Sequence, residues 1–118
     1  MSIIYHIARK IDWNHAAVTG TYAAASLASE GFIHCSTAEQ VIATADRLFA
    51  AQNDLVLLCV DTDRVTAEIR YENLEGGATQ FPHVYGALPL ASICAAHDFP
   101  PRNDGQFGLP PALCPGGR

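Results

Sequence analysis

The sequence predicts a single α+β domain. Apolar runs of strand length outnumber helical segments, the helical segments come early, and the later strands follow one another through short links. The chain has 118 residues, of which 49% are hydrophobic and 16% are charged, so it is long enough and apolar enough to form one hydrophobic core. We expect this domain to occupy residues 1–99, followed by a loosely packed tail rich in proline and glycine at residues 100–118.

The strands are predicted from apolar and β-branched runs. They span residues 3–8, 32–35, 55–60, 65–71 and 90–96. The run at 55–60 is continuously apolar, which is typical of a central strand, whereas 65–71 alternates and indicates one wet face. Residues 81–85 contain Pro82, which cannot donate to a sheet, so we expect a loop or an edge strand there.

Helix-capping signals place the helices. The predicted helices span residues 12–18, 22–30 and 37–51. Asp12 is the expected N-cap of the first, and Gly20 its stop. Ser36 followed by Glu39 matches a capping box, in which each side chain satisfies a free backbone N–H at the start of the third helix.

Composition and charge exclude several classes of protein. The net charge is −5, and Lys10 is the one lysine, so no basic stretch exists to bind nucleic acid. A single nucleotide remains a reasonable ligand because it needs only a few well-placed groups. No apolar run reaches the roughly 20 residues of a membrane helix. The N-terminus lacks the basic and apolar regions of a secretory signal, and no CxxC pair is present, so we expect a cytoplasmic protein with reduced thiols.

Histidines inside apolar segments indicate a polar pocket. His6, His34 and His83 each stand beside apolar residues, and burying an imidazole without hydrogen-bond partners costs about 1–3 kcal/mol. Each is either a structural histidine with satisfied nitrogens or part of a shared pocket. Three imidazoles can also bind zinc with an open fourth position, but the tight spacing of an HExxH motif is absent, and we expect no metal.

Other polar residues could complete such a pocket. Ser36, at a strand end and a helix start, would meet an anion such as a phosphate, or simply cap the helix. Glu72 at the end of a strand could be a general base or hold a histidine in one tautomer. Tyr22 and Tyr85 could stack on a planar ring, and Cys35 lies where a helix start could favour a thiolate.

Several long sequence words resemble a bacterial family known as domain of unknown function 952. They are Ile4-Tyr5-His6-Ile7, Trp13, Tyr22 with Ser26-Leu27, Glu30-Gly31-Phe32-Ile33-His34-Cys35-Ser36, Gln40, Val60-Asp61, Tyr71-Glu72 and Phe81-Pro82-His83-Val84-Tyr85-Gly86. The resemblance covers residues 3–99. It implies a fold similar to that of the ADP-ribosyltransferases, in which two small antiparallel sheets form a cleft that holds NAD.

The resemblance also implies roles for individual residues. His6 corresponds to the histidine that grips the NAD ribose, and Ser36 to the residue lining the nicotinamide pocket. The third motif of the ADP-ribosyltransferases has a catalytic glutamate where this chain has His83, so the resemblance makes Glu72 the candidate for the missing negative charge. The predicted catalytic residues are Glu72 and His83. The predicted NAD-binding residues are His6, Tyr22, Ser26, His34, Ser36 and Tyr85.

Three functions are compatible with these residues. The first is an ADP-ribosyltransferase-like enzyme that acts on NAD or on a phosphorylated ribose. The second is a non-catalytic domain that binds a nucleotide or ADP-ribose. The third is a zinc-dependent hydrolase that uses His6, His34 and His83. The sequence leaves the acceptor and the oligomeric state open.

Overall fold

The computed structural model describes residues 2–74 and 76–110, which form a mixed α+β fold of small antiparallel sheets and short helices. In chain order the elements are β1 (Ile3–Arg9), α1 (Lys10–Thr19), β2 (Thr21–Tyr22), α2 (Ala25–Glu30), β3 (Ile33–His34), α3 (Ala38–Leu48), β4 (Leu55–Asp61), β5 (Ile69–Glu72), β6 (Phe81–Val84), β7 (Leu88–Pro89) and β8 (Ile93–Asp98). Within the described ranges, no helix is long and apolar enough to cross a membrane.

The central strand β4 explains the longest apolar run of the sequence. It lies between β1 and β8, and every residue from Leu55 to Asp61 is buried. Its alternate side chains enter two different hydrophobic clusters, with Leu58 in one and Leu57 in the other. Because both faces of the strand are covered, its sequence does not alternate. The prediction of a central strand here is confirmed.

A second three-stranded sheet has the order β3-β6-β5, so the strand that contains Pro82 is the middle one. The expectation of a loop or an edge at 81–85 is therefore wrong. The carbonyl of Pro82 accepts the Cys35 N–H at 3.0 Å. The bond that Pro82 cannot donate would fall on this same side, opposite Cys35 and one residue beyond the end of the two-residue strand β3, so no bond to β3 itself is lost.

The start of α3 also differs from the prediction. Thr37 is the N-cap and Gln40, not Glu39, accepts the Thr37 N–H through its side chain at 3.0 Å. Ser36 is unavailable as a cap because its backbone forms a β-bridge with Tyr5. The helix ends at Leu48 rather than at residue 51.

The first two helices begin at other residues than predicted, because the adjacent strands β1 and β2 take up part of the predicted helical segments or run directly into them. β1 leads directly into α1 with Arg9 as N-cap, and Asp12 forms an ion pair with Arg9 instead of capping. Gly20 does end α1, in the left-handed conformation at φ +92°. α2 begins three residues later than expected because Tyr22 belongs to β2 and pairs with Leu88.

The remaining strands differ in extent from their predictions. β5 begins at Ile69 rather than at residue 65, because a 3₁₀ turn and loop precede it. β8 begins at Ile93 rather than at residue 90, because Leu90–Ser92 form another 3₁₀ turn. These differences leave the predicted order of the elements intact.

The C-terminal segment packs against the core, contrary to the expected loose tail. Phe107 is 1% exposed and stacks on Phe99 with ring centroids 4.9 Å apart. Its backbone N–H donates to Asp46 Oδ1 on α3 at 2.8 Å. Proline and glycine set the backbone of this segment, but the aromatic ring fixes its position. Residues 111–118 of the predicted tail lie outside the described residues.

Replacing Phe107 with alanine should therefore lower the free energy of unfolding by about 3–5 kcal/mol, because it opens a cavity under the segment. Urea denaturation measures this change. Leu109→Ala is the matched control, since Leu109 is 42% exposed and its loss should cost about 0.5 kcal/mol or less. Equal stability of the two variants would show that the tail does not belong to the core.

Candidate functional site

A cleft of about 690 Å³ opens beside β1, between α2, α3 and the β3-β6-β5 sheet. Nearly all of the predicted site residues line it. These residues are His6, Tyr22, Ser26, His34, Ser36, Glu72 and His83. Tyr85 does not line the cleft, but its hydroxyl donates a hydrogen bond to the Glu72 carboxylate, which does. Segments far apart in the sequence thus bring their polar groups to one hollow.

Glu72 is the centre of a hydrogen-bonded cluster at the cleft wall. His83 Nδ1 lies 3.0 Å from Glu72 Oε2, and the Tyr85 hydroxyl donates to the same oxygen. His83 and Tyr85 are two residues apart along β6 and its extension, so both side chains emerge on one face of the sheet. No described residue donates to the other oxygen, Oε1, of Glu72.

This geometry keeps Glu72 anionic. The hydrogen bond from Tyr85, and then that from His83, holds the pKa of Glu72 below its usual value. The same bond raises the pKa of Tyr85 above its usual value, because ionising the phenol would bring two negative charges together. The Glu72 side chain is 23% exposed, so the carboxylate is still accessible from the cleft.

Phe32 lines the cleft and packs against the cluster, and the sequence did not mark it as a site residue. Its ring stacks on His83 with centroids 4.3 Å apart and an interplanar angle of 25°. It also contacts the rings of His34 at 4.8 Å and Tyr85 at 5.2 Å. Its alternation with His34 in the sequence was the available signal, but an apolar ring in a strand is usually core. Phe32 therefore fixes the orientation of three site rings at once.

His6 is buried and engaged by the protein through both ring nitrogens. Nδ1 lies 2.6 Å from the carbonyl oxygen of His34, and Nε2 lies 2.8 Å from the Tyr22 hydroxyl. A carbonyl only accepts, so Nδ1 carries the proton and Nε2 accepts from Tyr22. A ligand that bound directly to His6 would have to replace one of these partners.

Burial sets the protonation of the same pair. Desolvation lowers the pKa of His6 to about 4, so the imidazole is neutral near pH 7. Burial also raises the pKa of Tyr22. The cleft thus has a neutral histidine on its β1 side and an anionic glutamate on its β5 side.

Three other predicted residues have mainly structural contacts. Ser26 Oγ donates to the Phe32 carbonyl at 2.8 Å, and the backbone of Ser36 bonds to Tyr5 in both directions. Burial raises the pKa of the Cys35 thiol to about 12, which opposes the predicted thiolate.

The zinc arrangement is not formed. His34 is half exposed and lies 3.2 Å from Glu30, while the nitrogens of His6 are already bonded within the protein. Within residues 2–74 and 76–110, no group of three or more His, Cys, Asp or Glu side chains is placed to hold a metal ion. The zinc-dependent hydrolase therefore has no ligand set in this part of the chain.

Arg47 is a second cleft residue that sequence reasoning missed. It lies in the last turn of α3 and lines the cleft together with Thr44. An arginine near the end of a helix is common on protein surfaces, so its type and position gave no signal.

Comparison with known proteins identifies relatives. Residues 7–96 match the model of a family described as protein of unknown function DUF952. The crystal structure of protein CC0527 from Caulobacter crescentus is similar, with 32% identity, a TM-score of 0.81, and coverage of 92% of this chain and 95% of that chain. The solution NMR structure of CC0527 gives 33% identity, a TM-score of 0.78, and coverage of 90% and 91%. No curated protein sequence matches significantly.

The neutral state of His6 predicts a specific pH dependence of stability. In the unfolded chain histidine titrates near 6.5, whereas in the folded protein the pKa of His6 is about 4. Between these values the unfolded state binds the extra proton, so stability is unaffected above pH 6.5 and falls as the pH drops toward 4. From pH 7.5 to 5 the loss due to His6 should be about 2 kcal/mol.

Urea denaturation of the wild type and of His6→Gln at both pH values isolates this loss, because glutamine does not titrate. The wild type should lose about 2 kcal/mol more than the variant over that range. Parallel pH profiles would contradict the assignment of a buried, neutral His6.

Proposed function

The chain belongs to the DUF952 family, and we propose that it is an ADP-ribosyltransferase-like enzyme that acts on NAD or on a phosphorylated ribose. The observation that carries this proposal is the Glu72 carboxylate, which is kept anionic at the cleft wall by His83 and Tyr85. Glu72 thus supplies the negative charge that a histidine at position 83 cannot supply.

The reaction needs such a charge. When the bond between the ribose C1′ and the nicotinamide nitrogen breaks, its electron pair leaves with nicotinamide, and positive charge develops on C1′ and the ring oxygen. A fixed carboxylate in the cleft stabilises that charge, and one preorganised electrostatic group, such as an oxyanion-hole donor, typically contributes a factor of about 10²–10³ in rate. Glu72 Oε1 has no described donor and is free to accept a ribose hydroxyl.

The neighbouring groups complete the step. An acceptor nucleophile forms the new bond to C1′ and loses a proton, which the Glu72–His83 pair takes up. Phe32 holds the His83 ring by stacking, and Tyr85 holds the carboxylate, so neither has to reorient as charge develops. Such preorganisation is the main contribution a protein makes to a charged transition state.

The open edge of β1 offers a matching site for a planar amide. Tyr5 points its N–H and carbonyl away from β4, because both bond to Ser36. By strand alternation, Ile7 presents its N–H and carbonyl on the same edge, and no described strand pairs there. A donor and an acceptor side by side are complementary to a carboxamide such as that of nicotinamide. The cleft, at about 690 Å³, lies within the usual size range of ligand pockets.

A non-catalytic binder of a nucleotide or of ADP-ribose is the second candidate. It is favoured by the histidine at position 83, where the ADP-ribosyltransferases have a carboxylate, and by His6, whose nitrogens both bond to protein groups. In that case the cleft would bind NAD and ADP-ribose without releasing nicotinamide. Titration calorimetry together with a nicotinamide-release assay separates the two candidates.

Glu72→Gln should reduce NAD turnover about 100-fold or more while NAD still binds, because the amide keeps the shape of the side chain but loses its charge. Nicotinamide release from labelled NAD, assayed with small-molecule and protein acceptors, measures the rate, and calorimetry measures the binding.

Glu39→Gln is the matched control, since Glu39 is an exposed acid on α3 that does not line the cleft. It should retain wild-type turnover. Turnover that survives in Glu72→Gln would sink the proposed role of this carboxylate, and absence of turnover in the wild type would leave the binding function.

A further inference from the structure

The basic residues of this acidic protein are almost all neutralised by acids. Among the described lysine and arginine residues, ion pairs join Arg9 to Asp12, Lys10 to Asp98, Arg64 to Asp61, Arg70 to Glu68 and Arg102 to Asp104. Their N–O distances run from 3.0 to 3.8 Å. Within residues 2–74 and 76–110, Arg47 is the exception. It lines the cleft, as does Arg9, whose guanidinium is already bonded to Asp12.

The acid next to Arg47 in the sequence is committed elsewhere. Asp46 accepts the N–H of Phe107 and so anchors the C-terminal segment. Thr44 lies one turn before Arg47 on the same side of α3 and also lines the cleft. The cleft wall formed by α3 therefore presents a free guanidinium and a hydroxyl, in a protein whose net charge is −5.

Helix electrostatics alone do not account for this arrangement. A cation in the last turn of a helix gains about 0.3–1 kcal/mol from the helix dipole. That gain is the same whichever way the side chain faces, so it does not explain why Arg47 lines the cleft beside a hydroxyl. A guanidinium with free N–H groups is the usual partner of a phosphate, because its planar fork matches two phosphate oxygens.

We propose that Arg47, assisted by Thr44, binds a phosphate group of the ligand in the cleft, so that the substrate is a phosphorylated nucleoside rather than a free nucleoside or base. The identity of the ribosyl group rests on the proposed function, whereas the phosphate subsite rests on the unpaired guanidinium of Arg47 beside the Thr44 hydroxyl at the α3 wall. The anionic end of the ligand lies at α3, and the carbon that becomes positive lies at Glu72.

Titration calorimetry of the full chain with ADP-ribose, ADP, adenosine and inorganic phosphate tests this subsite. We expect ADP-ribose to bind at least about tenfold more tightly than adenosine, and Arg47→Gln to remove about that tenfold difference without changing adenosine binding. The affinity for ADP-ribose should also depend less on ionic strength in the variant. Thr44→Val should weaken ADP-ribose binding in the same direction by a smaller factor.

Arg64→Gln is the matched control, since Arg64 is an exposed arginine outside the cleft that pairs with Asp61. It should bind every ligand like the wild type. The thermal unfolding midpoints of Arg47→Gln and Arg64→Gln should match that of the wild type. A loss of binding can then be distinguished from a loss of folding. Inorganic phosphate that binds as tightly as ADP-ribose would overturn the assignment to a nucleotide.

The outcomes for this subsite and for the enzyme are distinct. NAD turnover combined with ADP-ribose binding that does not depend on Arg47 would overturn the subsite and leave the enzyme. ADP-ribose binding that depends on Arg47, without NAD turnover, would support the subsite and count against the enzyme.

Discussion

Two reciprocal backbone hydrogen bonds between Tyr5 and Ser36, each 2.7 Å long, join the β1-β4-β8 sheet to the segment that follows β3. Each bond contributes only about 1 kcal/mol net, so their importance is geometric. They fix one point of contact between the two sheets and stop there, which leaves the β1 edge beyond Tyr5 open to the cleft. The same contact brings His6, the next residue, under the carbonyl of His34. The cleft is therefore a consequence of where the sheets are joined.

The two sides of this joint give opposite electrostatic environments to the groups that face it. On the β1 side, His6 is buried and bonded through both nitrogens, and burial favours its neutral form. On the β5 side, Glu72 stays partly exposed and receives two hydrogen bonds, which favour its charged form. Desolvation dominates in the first case and hydrogen bonding in the second. The same cleft is in this way lined by a neutral imidazole, that of His6, and by a fixed negative charge, that of Glu72.

Local pattern predicted the parts of the fold that depend on local chemistry. The buried strand β4 was predicted because a strand covered on both faces must be apolar throughout. Pro82, Ser36 and Phe107 were misread because their roles depend on partners remote in sequence: the end of β3, the edge of β1, and an open face of α3. Most polar residues that line the cleft could be singled out from the sequence because histidine and glutamate stand out beside apolar residues, whereas Phe32, which stacks on His83, looks like ordinary core.

Arg47 could not be recognised from the sequence, because it differs from the other described arginines only in its partners in the folded protein. Nothing in its own neighbourhood of sequence differs from that of the other arginines, and only the distribution of ion pairs reveals that it has no described acid partner. Leaving a cation unpaired in a protein with excess acid is unfavourable for stability compared with pairing it, although only by a fraction of a kcal/mol at a surface. The cleft lining also includes Arg9 bonded to Asp12 and Glu30 bonded to His34, so the guanidinium of Arg47 is the cleft cation without a described acid partner, and the carboxylate of Glu72 is the acid fixed by His83 and Tyr85. A ligand with a phosphate at one end and a carbon that becomes positive at the other is complementary to both charges, and a neutral ligand to neither.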